Sequence, residues 1–509
     1  MGRRGRRARV GETTGEPFAR YRSIVPDWEA FCAAAQRPLP TCVWTNTLRI
    51  NPRALAERLQ RAGLDPRPLA WELEAFRLGG DGAPGHTPEY LSGLLHVQEE
   101  VSLLPGVLLA PPPGSRVLDL CAAPGNKTAQ MAVRMGNRGT VVANDTSLRR
   151  LGALRHTLQR LGVVCCAVTV HDGARMPLEA GAFDRVLVDA PCSCEATSRK
   201  HPWLAGEARR GVHRRLAHTQ IALLRRALQL CAVGGRVAYS TCTYAPEENE
   251  LVVQEALRHV PSGCVRLIPA RIPGFRSSPG LGSWQGKELP AELAKAMRVW
   301  PHQNDTGGFF VALLEKVGET GPPPQAASAA LDLEPEASWA PFLEERFGAP
   351  PGTLEGLTVF RANRSTLAVA ATGMRLPERP RPRVVGLPFL ETEGGVPRLT
   401  TPAALLLGRA ARRNLVDLSA AQADAFLARR RVALREEQRR ATTGPGAVVV
   451  AHDGMVLGIG TVVAREGGPL LESDFPVAWA VTSGRSLFSS GAAGLEAGGV
   501  SLSQGEGER

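Results

Sequence analysis

The chain has 509 residues, 43% hydrophobic and 22% charged, which is globular composition with room for two to four domains, each with its own core. Its formal net charge of +12 comes almost wholly from arginine, with five lysines among 61 basic residues, so a phosphate-rich partner and an ordinary arginine-coated surface both stay open. Ten cysteines without CxxC pairing or Cys/His zinc spacing, and no apolar run near the ~18 residues of a membrane span, exclude a disulfide scaffold, a zinc finger and a transmembrane protein.

Unpaired thiols suit the reducing cytoplasm, which is the expected compartment. Residues 1–14 form a basic arm with no apolar run behind it, so it is not a signal peptide; Arg6 breaks the myristoylation pattern. Residues 15–113 mix short helices and strands. "CVWTNTLRI" (42–50) alternates like a half-buried strand, and "PRALAERLQRAGL" reads as an amphipathic helix. "APPPG" (110–114) marks a boundary. From 114 to 316 the apolar runs "RVLDL", "TVVAND", "CAVTVHD", "DRVLVDA" and "GRVAYST" alternate with helical stretches, and "FFVALLEK" closes the series. Continuous apolar strands between helices argue for an α/β domain with a parallel sheet covered on both faces. Residues 317–338 are a linker by composition, 339–480 a smaller mixed domain, and 481–509 a disordered tail.

"VLDLCAAPGNKT" is a strand, a small-residue turn and a helix start, which lets the backbone approach a ligand and offers free N–H groups. Asp145 ends the next strand, 20 residues after Gly125, where nucleotide-binding α/β folds place a carboxylate for ribose hydroxyls. Asp172 and Asp189 follow the third and fourth strands. With Asp119, four acids line one edge of one sheet. Single aspartates often only cap turns, but four at successive strand ends form a pattern. The stretch is not G-x-G-x-x-G, and a phosphate cradle is out of place among carboxylates. A cationic nucleoside such as S-adenosylmethionine (SAM) fits the charge.

Two thiol motifs follow: "VDAPCS" with Cys192, and "GGRVAYSTCTYAPEENE" with Cys242, 50 residues on. Both thiols should reach the same crevice. Free cysteine is usually a small buried hydrophobe; the polar neighbours here weaken that reading. Together with "LHVQEEVSLLP", "NDTSLRRL", "AHTQIALLRRAL" and "RVWPHQNDTGGFFVALL", these motifs resemble the Sun-type class I RNA (cytosine-5) methyltransferases, in particular their bacterial RsmF-like branch acting on 16S ribosomal RNA. The resemblance spans roughly residues 95 to 314. It implies a Rossmann-like class I SAM methyltransferase fold, an N-terminal α+β RNA-binding extension and a PUA-like C-terminal RNA-binding domain.

It also implies the site. Cys121, Ala122, Ala123, Pro124, Gly125, Asn126, Lys127, Asp145, Asp172 and Asp189 form the cofactor crevice. A thiolate adding to cytosine carbon 6 makes carbon 5 nucleophilic towards a sulfonium methyl. By resemblance Cys242 is that nucleophile, Asp189 contacts the base, Cys192 assists product release, and Lys127 helps position or activate the base. Spacing alone does not choose between Cys242 and the Pro191-Cys192 dipeptide, which DNA cytosine-5 methyltransferases use; the resemblance does. Cys194 and Asn126 stand where glycine is usual. The remaining cysteines, Cys32, Cys42, Cys165, Cys166, Cys231 and Cys264, read as core filling. No metal site is expected, because Cys192 and Cys194 have no evident partner histidine.

The target cytosine must be single-stranded or flipped. "SRKHPW" (198–203) and "RRGVHRRLAH" (209–218) either track RNA or form a solvated face. Trp203, Trp300 and His302 are candidates for base stacking, against the commoner reading of isolated aromatics as core. The expected partners are RNA, with ribosomal RNA favoured and transfer RNA the alternative, and the small ribosomal subunit; the protein is expected to be a monomer with no membrane contact. An RNA-binding ribosome assembly factor with secondary or lost catalysis is the rival from another class.

Overall fold

The computed structural model describes residues 18–80, 83–204, 210–324, 328–392, 397–408, 410–466 and 468–479; the basic arm at 1–14 and the tail at 481–509 lie outside the described residues. No helix among the described residues is long and apolar enough to cross a membrane.

Helix α1 (Trp28–Ala35) opens with Asp27 accepting from the Ala30 N–H. It does not belong to a separate extension: Phe18, Tyr21, Val25 and Phe31 share one apolar core with Tyr244 and Trp300. Strand β1 (Thr41–Thr45) is shorter than its apolar pattern suggests. The chain turns at buried Asn46, whose amide donates to the Gly93 and Leu161 carbonyls. Helix α2 (Pro52–Arg61) buries Leu55 and Leu59, one turn apart. Strands β2 (Pro66–Leu69), β3 (Glu72–Leu78) and β4 (Leu95–Val97) join β1 in an antiparallel sheet of order β2-β3-β1-β4, with the single turn α3 (Pro88–Leu91) before β4.

Helix α4 (Leu104–Leu109) packs on the main sheet, so the proline run after it joins two parts of one core rather than dividing domains. The five expected strands are all present: β5 (Arg116–Asp119), β6 (Thr140–Asp145), β7 (Cys166–Val170), β8 (Phe183–Asp189) and β9 (Cys231–Thr241). They pair in parallel in the order β9-β8-β5-β6-β7. The last strand, Phe309–Lys316, runs antiparallel beside β9, and Met297–Val299 adds beyond it. One face of the sheet carries helices α5 (Asn126–Arg134) and α6 (Leu148–Leu161). The other carries α7 (Arg210–Leu230) and α8 (Glu250–Arg258). Cover on both faces is why the strands read as unbroken apolar runs. The order reverses at β5, whose neighbours β6 and β8 lead to opposite sides. A crevice therefore opens at the carboxyl ends of β5, β6 and β8.

The C-terminal part is not one sheet. Leu357–Asn363, Thr366–Ala371, Leu387–Glu391 and Arg398–Leu399 form a four-stranded antiparallel sheet. Leu415–Asp417, Gly446–His452, Met455–Val463, Leu470–Ser473 and Val432–Ala433 form a five-stranded one. Val384–Val385 pairs antiparallel with β7 and covers that edge of the main sheet. The stretch with linker composition is also tied down: the Thr320 hydroxyl donates to the Leu228 carbonyl, and Leu333 bridges Phe360.

Candidate active site

The turn after β5 is built by small residues. Gly125 has φ +102°, and a Cβ there would meet the Leu154 side chain at 2.7 Å, so only glycine fits. Cys121 and Asn126 are half-buried, Ala122 and Ala123 buried and Pro124 exposed. The Asn126 side chain is held by His96 at 3.0 Å. Asp145, at the end of β6, accepts from the Ala123 N–H (3.1 Å) and the Ser147 N–H (2.9 Å). Arg150 pairs with it at 3.3 Å and also donates to the Ala123 carbonyl. Asp172 is exposed and caps a short turn through the Ala174 N–H. Asp119 is fully buried. One of its oxygens accepts from the Thr128 hydroxyl at 2.6 Å; the other, towards the Cys121 N–H, makes no well-formed hydrogen bond. Burial pushes its carboxyl up to about 7.

The other half of the crevice lies after β8 and β9. In-register pairing of Asp189 with Ser240 brings the two motifs side by side. Sγ of Cys192 and Sγ of Cys242 are 3.3 Å apart. Lys127, from the first turn of α5, reaches across to Asp189 at 2.7 Å, and the Ser240 hydroxyl donates to the other oxygen of Asp189 at 2.8 Å. Burial alone lowers the Lys127 pKa, but Asp189 outweighs it and the net shift is upward, so the ammonium persists. Hydrogen bonds from Cys194 and Cys242, then burial, raise the Cys192 thiol. The Cys192 hydrogen bond pulls Cys242 down, but Cys194, burial and the Asp189 charge push it well up overall.

Cys194 takes the left-handed conformation, φ +59°, that favours glycine, and its Sγ sits 3.9 Å from that of Cys192.

A buried polar scaffold holds both thiol loops, and sequence reading missed it. Glu248 accepts from the Ser193 N–H (3.0 Å) and the Gln220 amide (2.9 Å), and lies 2.6 Å from His213. His213 also pairs with Glu195 at 3.1 Å. Burial alone lowers the imidazole pKa, but the two carboxylates outweigh it and raise it to about 9. Asn249 accepts from the Thr241 hydroxyl and donates to the Thr243 carbonyl, fixing the residues on either side of Cys242. The only sequence signal was the run of acids in "APEENE", which resembles a solvated surface.

The sequence model of the family described as 16S rRNA methyltransferase RsmB/F matches residues 106–315. A tRNA (cytosine(49)-C(5))-methyltransferase of Pyrococcus abyssi is 36% identical over 301 residues, which cover 58% of this chain and 94% of the relative. The chain belongs to the RsmB/F family of RNA (cytosine-5) methyltransferases. A mouse 28S rRNA (cytosine-C(5))-methyltransferase is 33% identical over 378 residues, covering 72% of this chain and 46% of the relative; the chain thus spans less than half of that protein's length. A crystal structure of a methyltransferase homologue from Pyrococcus horikoshii is 34% identical with a TM-score of 0.51, covering 56% of this chain and 90% of that one. The match to the RsmB/F family begins inside α4, in keeping with that helix packing on the main sheet, and encloses both thiol motifs.

Several residues expected at an RNA surface sit elsewhere. Trp300 is 1% exposed, stacked on Tyr244 in the core. Arg199 is tied to the Arg37, Pro38 and Thr306 carbonyls and to Asp305. His302 lies against Phe31. Trp203 remains, 74% exposed beside His201, with Lys200, Arg214 and Arg215 also exposed. Arg209 falls outside the described residues. Cys42, Cys165, Cys166 and Cys231 are buried as core filling requires, whereas Cys32 and Cys264 are only half-buried.

Proposed function

We propose that the chain is a SAM-dependent RNA (cytosine-5) methyltransferase acting on small-subunit ribosomal RNA, as in the RsmF-like branch of its family. The carrying observation is the 3.3 Å approach of Cys192 and Cys242 beside the Lys127–Asp189 pair. The donor set suits the cofactor. Asp145 keeps carboxylate lone pairs for ribose hydroxyls, Asp119 has an unsatisfied buried oxygen, and the turn from Cys121 to Lys127 is built mainly of small residues. Asp172 and Asp189 add negative charge around a cationic ligand. When bound, SAM supplies an electrophilic methyl group on a sulfonium centre.

The chain's own residues do the rest. Cys242 loses its thiol proton to solvent and its sulfur bonds to carbon 6 of a flipped cytosine, which sends electron density to carbon 5. Asp189, held by Lys127 and Ser240, faces the ring edge at nitrogen 3, and the Lys127 proton stabilises charge there. After methyl transfer the carbon 5 proton leaves to solvent with the assistance of Cys192. The double bond re-forms and the electron pair of the carbon–sulfur bond returns to Cys242. Exposed Trp203 with Lys200, Arg214 and Arg215 supplies a stacking and phosphate surface beside the crevice.

The ribosomal reading is supported by the family's description as 16S rRNA methyltransferases. The archaeal relative's tRNA name, with 94% of it covered, keeps transfer RNA as the second reading. The test is label transfer from SAM to small-subunit RNA, free and assembled, and to transfer RNA, followed by bisulfite mapping. Label in small-subunit RNA as 5-methylcytosine is expected. Label only in transfer RNA moves the substrate, and no label in any RNA overturns the reading.

A further inference from the structure

Cys194 gives the crevice a third sulfur. Cys192, Cys194 and Cys242 lie with all three Sγ atoms within 4.8 Å of one another, at 3.9 Å for the first pair and 3.3 Å between Cys192 and Cys242. None is disulfide-bonded, and all three residues are half-buried. Zinc–sulfur bonds of about 2.3 Å place thiolates about 3.8–4.0 Å apart in tetrahedral or trigonal coordination. The observed triangle needs shifts of well under an ångström per atom. The histidine partner missing from the sequence is a third cysteine, 50 residues on from Cys192.

We propose that Cys192, Cys194 and Cys242 form a three-sulfur site for one thiophilic cation of the zinc type, with its remaining position open to water. Thiolate ligands select soft and borderline cations over magnesium or calcium. Each thiol releases its proton to solvent as its sulfur binds, giving one metal–sulfur bond per thiol lost. Three thiolates on a divalent ion leave one negative charge, which the Lys127 ammonium, whose field reaches Cys242, attracts although Asp189 already balances that ammonium. The pairing of Lys127 with Asp189 keeps that ammonium from confronting the ion as an isolated charge. Two of the three ligands are the residues proposed for the reaction, so occupancy takes the Cys242 lone pair and holds the enzyme off. This consequence rests on Cys242 being the nucleophile; the metal site itself does not.

The test uses the full-length chain, reduced and stripped with chelator. Zinc ion is titrated against a chromophoric chelator, and cobalt(II) is substituted for the thiolate-to-metal charge-transfer band. One equivalent is expected, with the charge-transfer band of three thiolates. Cys194→Gly suits the positive φ at that position, and losing a ligand should weaken zinc binding by at least about 100-fold, the upper end for disturbing a metal's outer shell. Cys194→Ser is the second variant and should show the same loss. Unchanged affinity in both variants, or less than one equivalent in wild type, overturns the site. A separate arm measures methyl transfer with one equivalent of zinc: inhibition in wild type but not in Cys194→Gly links the site to the reaction. Tight binding with full activity overturns the link, and with it the nucleophile, while leaving the site.

Discussion

On the β5–β7 side of the crevice the acids are tied to the chain's own backbone and hydroxyls. Asp145 takes the Ala123 and Ser147 N–H groups, Asp172 the Ala174 N–H, and Asp119 the Thr128 hydroxyl. On the β8–β9 side the reactive groups face one another. Two sulfurs lie at 3.3 Å, and an ammonium and a carboxylate at 2.7 Å. The first side is a shaped, preformed bed in which each acid also stabilises the fold. The second is a cluster in which Cys194 and burial raise both thiols. It is held from behind by Glu248, His213 and Asn249. In the proposed mechanism binding and chemistry fall to adjacent strand ends of one sheet, and substitutions on the two sides should fail in different ways.

The largest effect belongs to the thiol side. Cys242→Ala should reduce methyl transfer by roughly 10⁴-fold or more, the scale of losing a nucleophile, while SAM affinity stays within about twofold. Equilibrium dialysis with labelled SAM, run beside the activity assay, checks the split. Next, Glu248→Gln should destabilise the protein by about 3 kcal/mol, because it breaks a buried ion pair with His213 and weakens the clamp on Ser193. Denaturant unfolding reads this directly.

His213 adds a pH signature to that clamp. Its pKa is about 9 in the folded state against about 6.5 for a free imidazole. Its contribution is therefore full below about pH 6.5 and is lost as pH rises through about 9. Wild type should lose stability across that window through this site, with Glu195 and Glu248 as the facing charges. His213→Gln should lack the decline, as thermal melts at pH 6 and pH 9 would show. On the bed side, Asp145→Ala removes the anchor of the Ala123 and Ser147 amides. It should weaken SAM binding by about 10–100-fold, the range for losing a charge-assisted hydrogen bond, with kcat changed less. The smallest effect is expected from Asp172→Ala: an exposed cap worth about 1 kcal/mol or less, with SAM binding nearly unchanged. A large loss of methyl transfer in Asp172→Ala with SAM binding intact would blur the division.

What could be read in advance follows the same line. Strands β5 to β9, the acids at their ends and the thiols after β8 and β9 were legible, because apolar period and strand-end chemistry are local. Strand length was less so: β1 stops at Thr45 because Asn46 is recruited by carbonyls at Gly93 and Leu161, distant in sequence. The clamp was illegible because Glu248 meets His213 from 35 residues away and Ser193 from 55. Trp300 and Arg199 looked available for RNA until Tyr244 and a set of backbone carbonyls claimed them. "APPPG" looked like a boundary because proline marks loops, whereas here the loop connects α4 and β5 of the same core. The C-terminal part hid its second sheet because its strands are short and separated by glycine-rich turns, and its pairing with β7 has no signal within either segment.

The central claim is that Cys242 bonds to the base and Cys192 acts afterwards. Denaturing gels of each variant incubated with SAM and substrate RNA test it most directly. Cys192→Ala should accumulate a covalent protein–RNA adduct while Cys242→Ala forms none; an adduct in Cys242→Ala and its absence in Cys192→Ala would contradict the account.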